Sequence, residues 1–226
     1  MTVDLARTRN LSPEEPGPLS ESWRAALADA PEPLELPADR PRPTQADDAG
    51  ALVRLELDEE VAAGLRALGS RHGAALSTSL LAGWAAVLGR LSGQTDLVIG
   101  TSTDSGFVHP LPVRVDLSGS PTAAELLGRV EARVRGAPRN GDLPLQRVVE
   151  LVQPDGAAAS ATPLFRVAFA WGDAVGRGSE PRPAGGLDLS LELREERGGI
   201  AGEVVFATAL FDRETVERYA GYLRRM

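Results

Sequence analysis

From Gly50 to the C-terminus the apolar residues switch repeatedly between a period of two and a period near 3.6, and that switching limits the chain to a layered α/β arrangement. Leu52-Val53-Arg54-Leu55-Glu56-Leu57 alternates from Val53 onward and predicts a strand. Asp58 then stands as an N-cap, with Glu59 and Glu60 in the first turn, where carboxylates suit the helix dipole. Val61, Leu65 and Leu68 predict that helix's buried stripe, and Gly73 lies just past its end. The next helix, Ser77 to Leu91, carries Leu80, Leu81, Trp84, Val87, Leu88 and Leu91 around much of its circumference and is expected deep in the core. Short apolar strands follow at Asp96–Gly100 and Pro112–Leu117. Ser120-Pro121 opens a helix as cap and N1 proline, striped by Leu126, Leu127, Val130 and Val134. A shorter helix, Leu145–Val152, follows Pro144.

The last third predicts strands at Leu164–Trp171, Leu187–Leu193 and Ile200–Thr208, with a glycine- and proline-rich stretch, Gly172–Gly186, between the first two. Arg197-Gly198-Gly199 forms the hairpin turn between the last two. Asp212 caps a final helix, with Phe211 and Val216 as its hydrophobic staple. Ahead of Gly50 the chain has a different character. Residues 1–19 are polar, bear prolines and are expected to be flexible. Ser20 or Ser22 offers a cap for a short helix, Glu21–Ala28, with Trp23 and Leu27 on one face. Prolines at 31, 33, 37, 41 and 43 confine residues 30–43 to an extended strap, because each fixes φ and lacks an N–H donor. The expected organisation is therefore a flexible segment 1–19, a linker helix and strap 20–49, and one domain over 50–226.

Composition narrows the chemistry. The 226 residues include no cysteine, and all 24 basic residues are arginine. Thiolate nucleophiles, cysteine-based zinc sites, Schiff-base lysines and phosphate-loop lysines are thereby excluded. A net charge of −8, with no basic run longer than pairs such as Arg224-Arg225, argues against a nucleic-acid partner. No apolar run reaches signal-peptide or membrane-spanning length, so a cytoplasmic location without membrane contact is expected. Only His72 and His109 carry imidazoles. His72 stands at a helix end, where a cation suits the dipole. His109 lies between a loop and a strand, with Asp104 and Ser105 as the only neighbouring candidates to orient it. Glu59-Glu60 and Glu195-Glu196 are expected on solvated faces. There is no Gly-x-Ser-x-Gly elbow, and Gly185-Gly186 precedes a strand and so builds no phosphate cradle. No catalytic residue, metal or cofactor is expected.

Several stretches, taken in order, resemble the C-terminal half of a condensation domain from nonribosomal peptide synthetases. Ser22-Trp23-Arg24 through Pro31, with Leu34 through Pro43, is similar to the linker after that family's first lobe. Leu80-Leu81-Ala82-Gly83-Trp84 and Ser92 through Gly100 resemble the start of its second lobe. Phe107-Val108-His109-Pro110-Leu111 stands where the family has Phe-Val-Asn-Thr-Leu. Asp142-Leu143-Pro144-Leu145-Gln146 stands for its Gln-Asp-x-Pro-Phe-Glu run, and Thr162-Pro163-Leu164-Phe165-Arg166-Val167 for its Pro-Leu-Phe-Gln-Val stretch. The resemblance implies half of a two-lobed, chloramphenicol-acetyltransferase-like fold, with a mixed sheet flanked by helices. It also implies that Phe107, Val108, His109, Pro110, Asp142, Pro144, Thr162, Pro163 and Leu164 face the cleft.

The departures from that pattern bear on function. The family's His-His-x-x-x-Asp-Gly motif belongs to the first lobe and does not occur here. The segment between Gly100 and Phe107 is shorter than the family's and lacks its Asn-Arg pair. His109 and Pro110 replace asparagine and threonine, while Leu145 and Gln146 replace the aromatic and acidic residues. The expectation is a noncatalytic, truncated condensation-like domain, within a larger chain, that serves as a platform for an adjacent adenylation domain. Trp23, Leu36, Pro37, Arg40 and Pro41 are the expected interface residues. Two alternatives stay open: a recruitment module for a tailoring enzyme or carrier domain, and half of an acyltransferase completed by a separate first lobe.

Overall fold

The computed structural model describes residues 17–44, 49–102, 110–136, 145–152, 164–172 and 186–226. Six strands form one mixed sheet: β1 (Gly50–Leu57), β2 (Asp96–Ser102), β3 (Leu111–Asp116), β4 (Val167–Trp171), β5 (Leu189–Glu196) and β6 (Gly199–Ala207). Their order is β1-β6-β5-β4-β2-β3. The β4 strand pairs parallel with both β2 and β5, and every other pairing is antiparallel. Six helices complete the lobe: α1 (Pro18–Ala26), α2 (Glu59–Arg71), α3 (Leu76–Ser92), α4 (Ala123–Gly136), α5 (Leu145–Val152) and α6 (Arg213–Arg224).

Strand alternation assigns two faces. Val53, Leu55, Leu97, Ile99, Val113, Val115, Val167, Phe169, Leu189, Leu191, Val204 and Phe206 point to one side, where α2, α3, α4 and α6 bury them in the main core. α3 lies at the centre of that core, with Trp84 and Leu88 fully buried, as its all-round apolar surface predicts. On the other side, α1 and α5 cover only the β2–β4 region. There Trp23, Leu27 and Val148 pack with Val98, Ala168 and Phe165. Gly100 permits this closeness: a Cβ there would lie 2.2 Å from the Phe165 ring.

Local signals account for several boundaries. The Asp58 carboxylate accepts a hydrogen bond from the Val61 N–H and caps α2. Glu196 and Gly199 pair across the turn at Arg197 and Gly198, whose φ values of 50° and 85° suit the two-residue hairpin that twisted strands prefer. Other expectations are corrected. α1 starts at Pro18 with Gly17 as its N-cap, so neither Ser20 nor Ser22 caps it. Ser120 lies in a left-handed turn (φ 52°), and α4 is capped by Thr122. The Thr122 hydroxyl accepts from the Glu125 N–H while Glu125 accepts from the Thr122 N–H at 2.8 Å, a reciprocal capping box. Val61 is 39% exposed. α2 instead buries Ala62 and Gly69, small residues that let it approach the N-terminus of α3.

The strap is built into the lobe. Leu34 is buried and Leu36 half-buried in the main core, and the Glu35 N–H donates to Gln94 Oε1 at 2.9 Å. The strap then reaches α6. Asp212 is the N-cap residue of α6, yet its side chain makes no capping bond. Asp39 of the strap supplies it, accepting from the Asp212 N–H at 2.7 Å and the Thr215 hydroxyl at 2.8 Å. The Tyr219 hydroxyl donates to the Pro37 carbonyl, and Arg40 and Arg42 pair with Asp212 and Asp188. No single helix among the described residues is long and apolar enough to cross a membrane.

Candidate docking surfaces

The sequence-derived cleft positions divide into those placed and those not. Phe107, Val108, His109, Asp142, Pro144, Thr162 and Pro163 lie outside the described residues. Pro110 is half-buried just before β3, beside the end of β2. Leu164 is only 3% exposed and packs in the smaller core.

The interface candidates divide similarly. Trp23 is 1% exposed and belongs to the smaller core, so it offers no surface to a partner in this structure. Among the described residues its indole N–H has no hydrogen-bond partner, an uncommon state for a buried donor. Arg114 secures the helix that carries it, donating to the Ala28 and Asp29 carbonyls while paired with Asp96 at 2.6 Å. Leu36 is half-buried against the main core. Pro37, Arg40 and Pro41 are exposed, although Arg40 is engaged with Asp212 and the Thr208 carbonyl.

A surface that the sequence reading missed lies on the second face of the sheet, over β5, β6 and β1. Pairing registers lay its side chains out in rows. One runs Gly100, Ala168, Ser190, Val205, Leu52; the next runs Ser102, Ala170, Glu192, Glu203, Arg54; a third holds Arg194, Ala201 and Glu56. Polarity therefore rises from row to row. A depression of about 680 Å³ occupies the charged part, lined by Arg54, Glu56, Arg194, Ala201 and Glu203. The detectable signal was the polar residue at every second position of β5 and at Arg54 and Glu56 of β1.

Glu192 and Glu203 stand directly opposite each other. Burial raises the Glu192 carboxyl above its ordinary range; a hydrogen bond from Ser190 opposes that rise and the neighbouring Glu203 charge adds to it. Burial also raises Glu203, against the pull of Arg194 and Arg54. In contrast, the Asp212 N–H holds Asp39 below the usual aspartate range, overcoming a smaller effect of burial with help from Thr215, Arg218 and Arg40. Among the described residues no cluster of histidine and carboxylate side chains could hold a metal ion. His72 is exposed at the C-cap of α2.

This half-covered mixed sheet, with helices packed on it, is the lobe architecture of condensation-type proteins. The Condensation domain family matches residues 19–226, and the chain belongs to that family. Malpinin synthetase from Mortierella alpina is 42% identical over 229 residues, spanning 92% of this chain and 3% of the synthetase. Among solved structures, a complex of the X-domain and OxyB from teicoplanin biosynthesis matches with a TM-score of 0.78 and 31% identity, covering 92% of this chain and 51% of the matched chain. A four-domain nonribosomal peptide synthetase bound to AMP and glycine shares the fold, with a TM-score of 0.80 at 22% identity over 95% of this chain and 20% of its own. The chain thus spans a few per cent of the curated relative's length and about half of the X-domain chain.

Proposed function

We propose that this chain is the C-terminal lobe of a condensation-like domain of a nonribosomal peptide synthetase, acting without catalysis as a docking platform for a neighbouring adenylation domain. The observation that carries this reading is the asymmetry of the sheet. One face and part of the other are buried under helices, while the β5–β6–β1 part carries the charged Glu192, Glu203, Arg54, Arg194 and Glu56 beside an open depression. A preformed surface of that kind binds with little ordering cost. The coverage of about half of the X-domain chain supports a single lobe. The two histidines, at 72 and 109, do not form the adjacent pair of the family's catalytic motif.

The test is co-purification of this chain with the adenylation domain encoded beside it, followed by size-exclusion chromatography. A stable one-to-one complex is expected. Two folded proteins that elute separately would overturn the reading, and so would amide formation on mixing this chain with a separate first lobe.

A second reading, recruitment of a tailoring enzyme, is favoured by the likeness to the X-domain solved in complex with OxyB. Co-migration with a tailoring enzyme from the same pathway, and not with the adenylation domain, would select it.

A further inference from the structure

The sheet has two edges, and they differ. β3 carries Pro112, which removes a donor from that edge, and the Arg129 guanidinium occupies the Asp116 carbonyl at its end. β1 runs for eight residues without a proline. Its odd-numbered residues face β6: the Ala49 carbonyl just before it accepts from the Thr208 N–H. Leu52, Arg54 and Glu56 therefore direct their N–H and C=O groups outward. Among the described residues the Arg54 carbonyl accepts from an Arg224 guanidinium alone, at the 3.5 Å limit of a hydrogen bond.

Alongside this edge runs a groove of about 620 Å³ whose far wall is one stripe of α6: Arg213, Glu217, Ala220 and Arg224. Ala220 keeps the middle of the groove open. Arg213 and Arg224 flank one carboxylate, Glu217, and make a positive strip on a chain of net charge −8. Among the described residues the stripe has one ion pair, Arg213 with Glu217, long and exposed at 4.0 Å.

We infer that the β1 edge and the α6 stripe form a strand-addition site for an extended, acidic segment of a partner protein. The inference rests on the platform reading and names the chemistry of the docked segment. Outward backbone groups of β1 supply the ladder. Arg213 and Arg224, eleven residues apart on a helix, are separated by roughly 16 Å at 1.5 Å per residue. Flexible arginine side chains reach inward from both ends. Two acids four residues apart on a strand lie about 13 Å from each other on one face, and meet both guanidinium groups.

Three eight-residue peptides, each blocked at both termini and built on a valine–threonine background, test this by fluorescence anisotropy and amide exchange. One carries glutamates at i and i+4, one lysines at those positions, and one glutamates at i and i+3. The first is expected to bind at least ten-fold more tightly than the others and to slow exchange at Leu52, Arg54 and Glu56. Glu56→Pro removes an outward N–H and should cost at least ten-fold. The double variant Arg213→Glu/Arg224→Glu should reverse the preference toward the lysine peptide, and it decides the matter if Glu56→Pro does not fold. Equal binding of all three peptides, protection elsewhere on the lobe, or an unchanged preference in the double variant would overturn the inference. Full binding of the adenylation domain by the double variant would also remove the edge as its dock while leaving the platform reading intact. An adenylation domain that ignores the wild-type chain defeats the platform itself.

Discussion

Over β2 and β4 the second face of the sheet is lined by Val98, Gly100 and Ala168 and carries two helices. Over β5, β6 and β1 the same face carries a row of Ser190, Val205 and Leu52, the first two buried, and beyond it the charged Glu192, Arg194, Glu203, Arg54 and Glu56, which no described helix covers. The backbone ladder runs without interruption through both halves, so side-chain identity alone separates them. Apolar and small residues gain from excluding water and allow helices to sit close. Charged residues gain nothing from such a cover unless a partner answers their charges. The contrast separates what holds this lobe together from what it can offer to another protein.

The covered half should respond most strongly to substitution. Trp23→Ala removes the largest side chain of the smaller core, and a loss of about 3–5 kcal/mol is expected in urea unfolding. A loss below 1 kcal/mol would mean that α1 adds little to the lobe and that the two halves are alike.

A smaller effect is expected where the strap meets α6. Asp39→Ala deletes a helix cap and should cost about 1 kcal/mol at neutral pH. The folded-state pKa of Asp39 is lowered, so its contribution is complete above the ordinary aspartate value of 3.8 and disappears as pH falls through the folded value. Melting temperatures of the wild type and the variant should therefore converge in acid. A gap that persists there would assign the loss to packing.

The open half should respond least, and in the opposite direction. Glu192→Gln removes one of two like charges placed directly opposite, and should stabilise by about 0.5–1 kcal/mol at neutral pH. Both carboxyls are raised in the folded state, so their penalty is absent below the ordinary glutamate value of 4.5 and grows as pH rises through the folded values. The gain should vanish at low pH. Destabilisation at pH 7 would show instead that the hydrogen bond from Ser190 to Glu192 outweighs the repulsion from Glu203.

Much of this fold was legible one element at a time. The Asp58 cap, the burial of α3 around Trp84, the turn at Arg197 and Gly198, and the type of every element from β1 to α6 follow from neighbouring residues, because capping, turn geometry and amphipathic period act within a few positions. The position of Thr122 as the α4 cap was within reach of the same reasoning, since its box with Glu125 is local. Residues brought together from distant parts of the chain were not legible. Trp23 looked like a surface anchor because α5 and β4, which bury it, lie more than a hundred residues downstream. Asp39 caps a helix 173 residues away. Periodicity could not turn Val61 outward, because close contact at Gly69 with Ala74 and Ser79 sets how α2 is rotated.

The sequence by itself determined which segments are strands and helices, the lack of thiol, lysine and paired-histidine chemistry, and membership of a family whose motifs it carries in order. Tertiary structure decided the strand order, the burial of Trp23, the use of the strap as a distant cap, and the division of one sheet face into a covered and an open half. The reason is range: hydrogen bonds and side-chain contacts between near neighbours are encoded by spacing. Which strands lie side by side, and what is left uncovered beside them, is fixed only when distant segments pack.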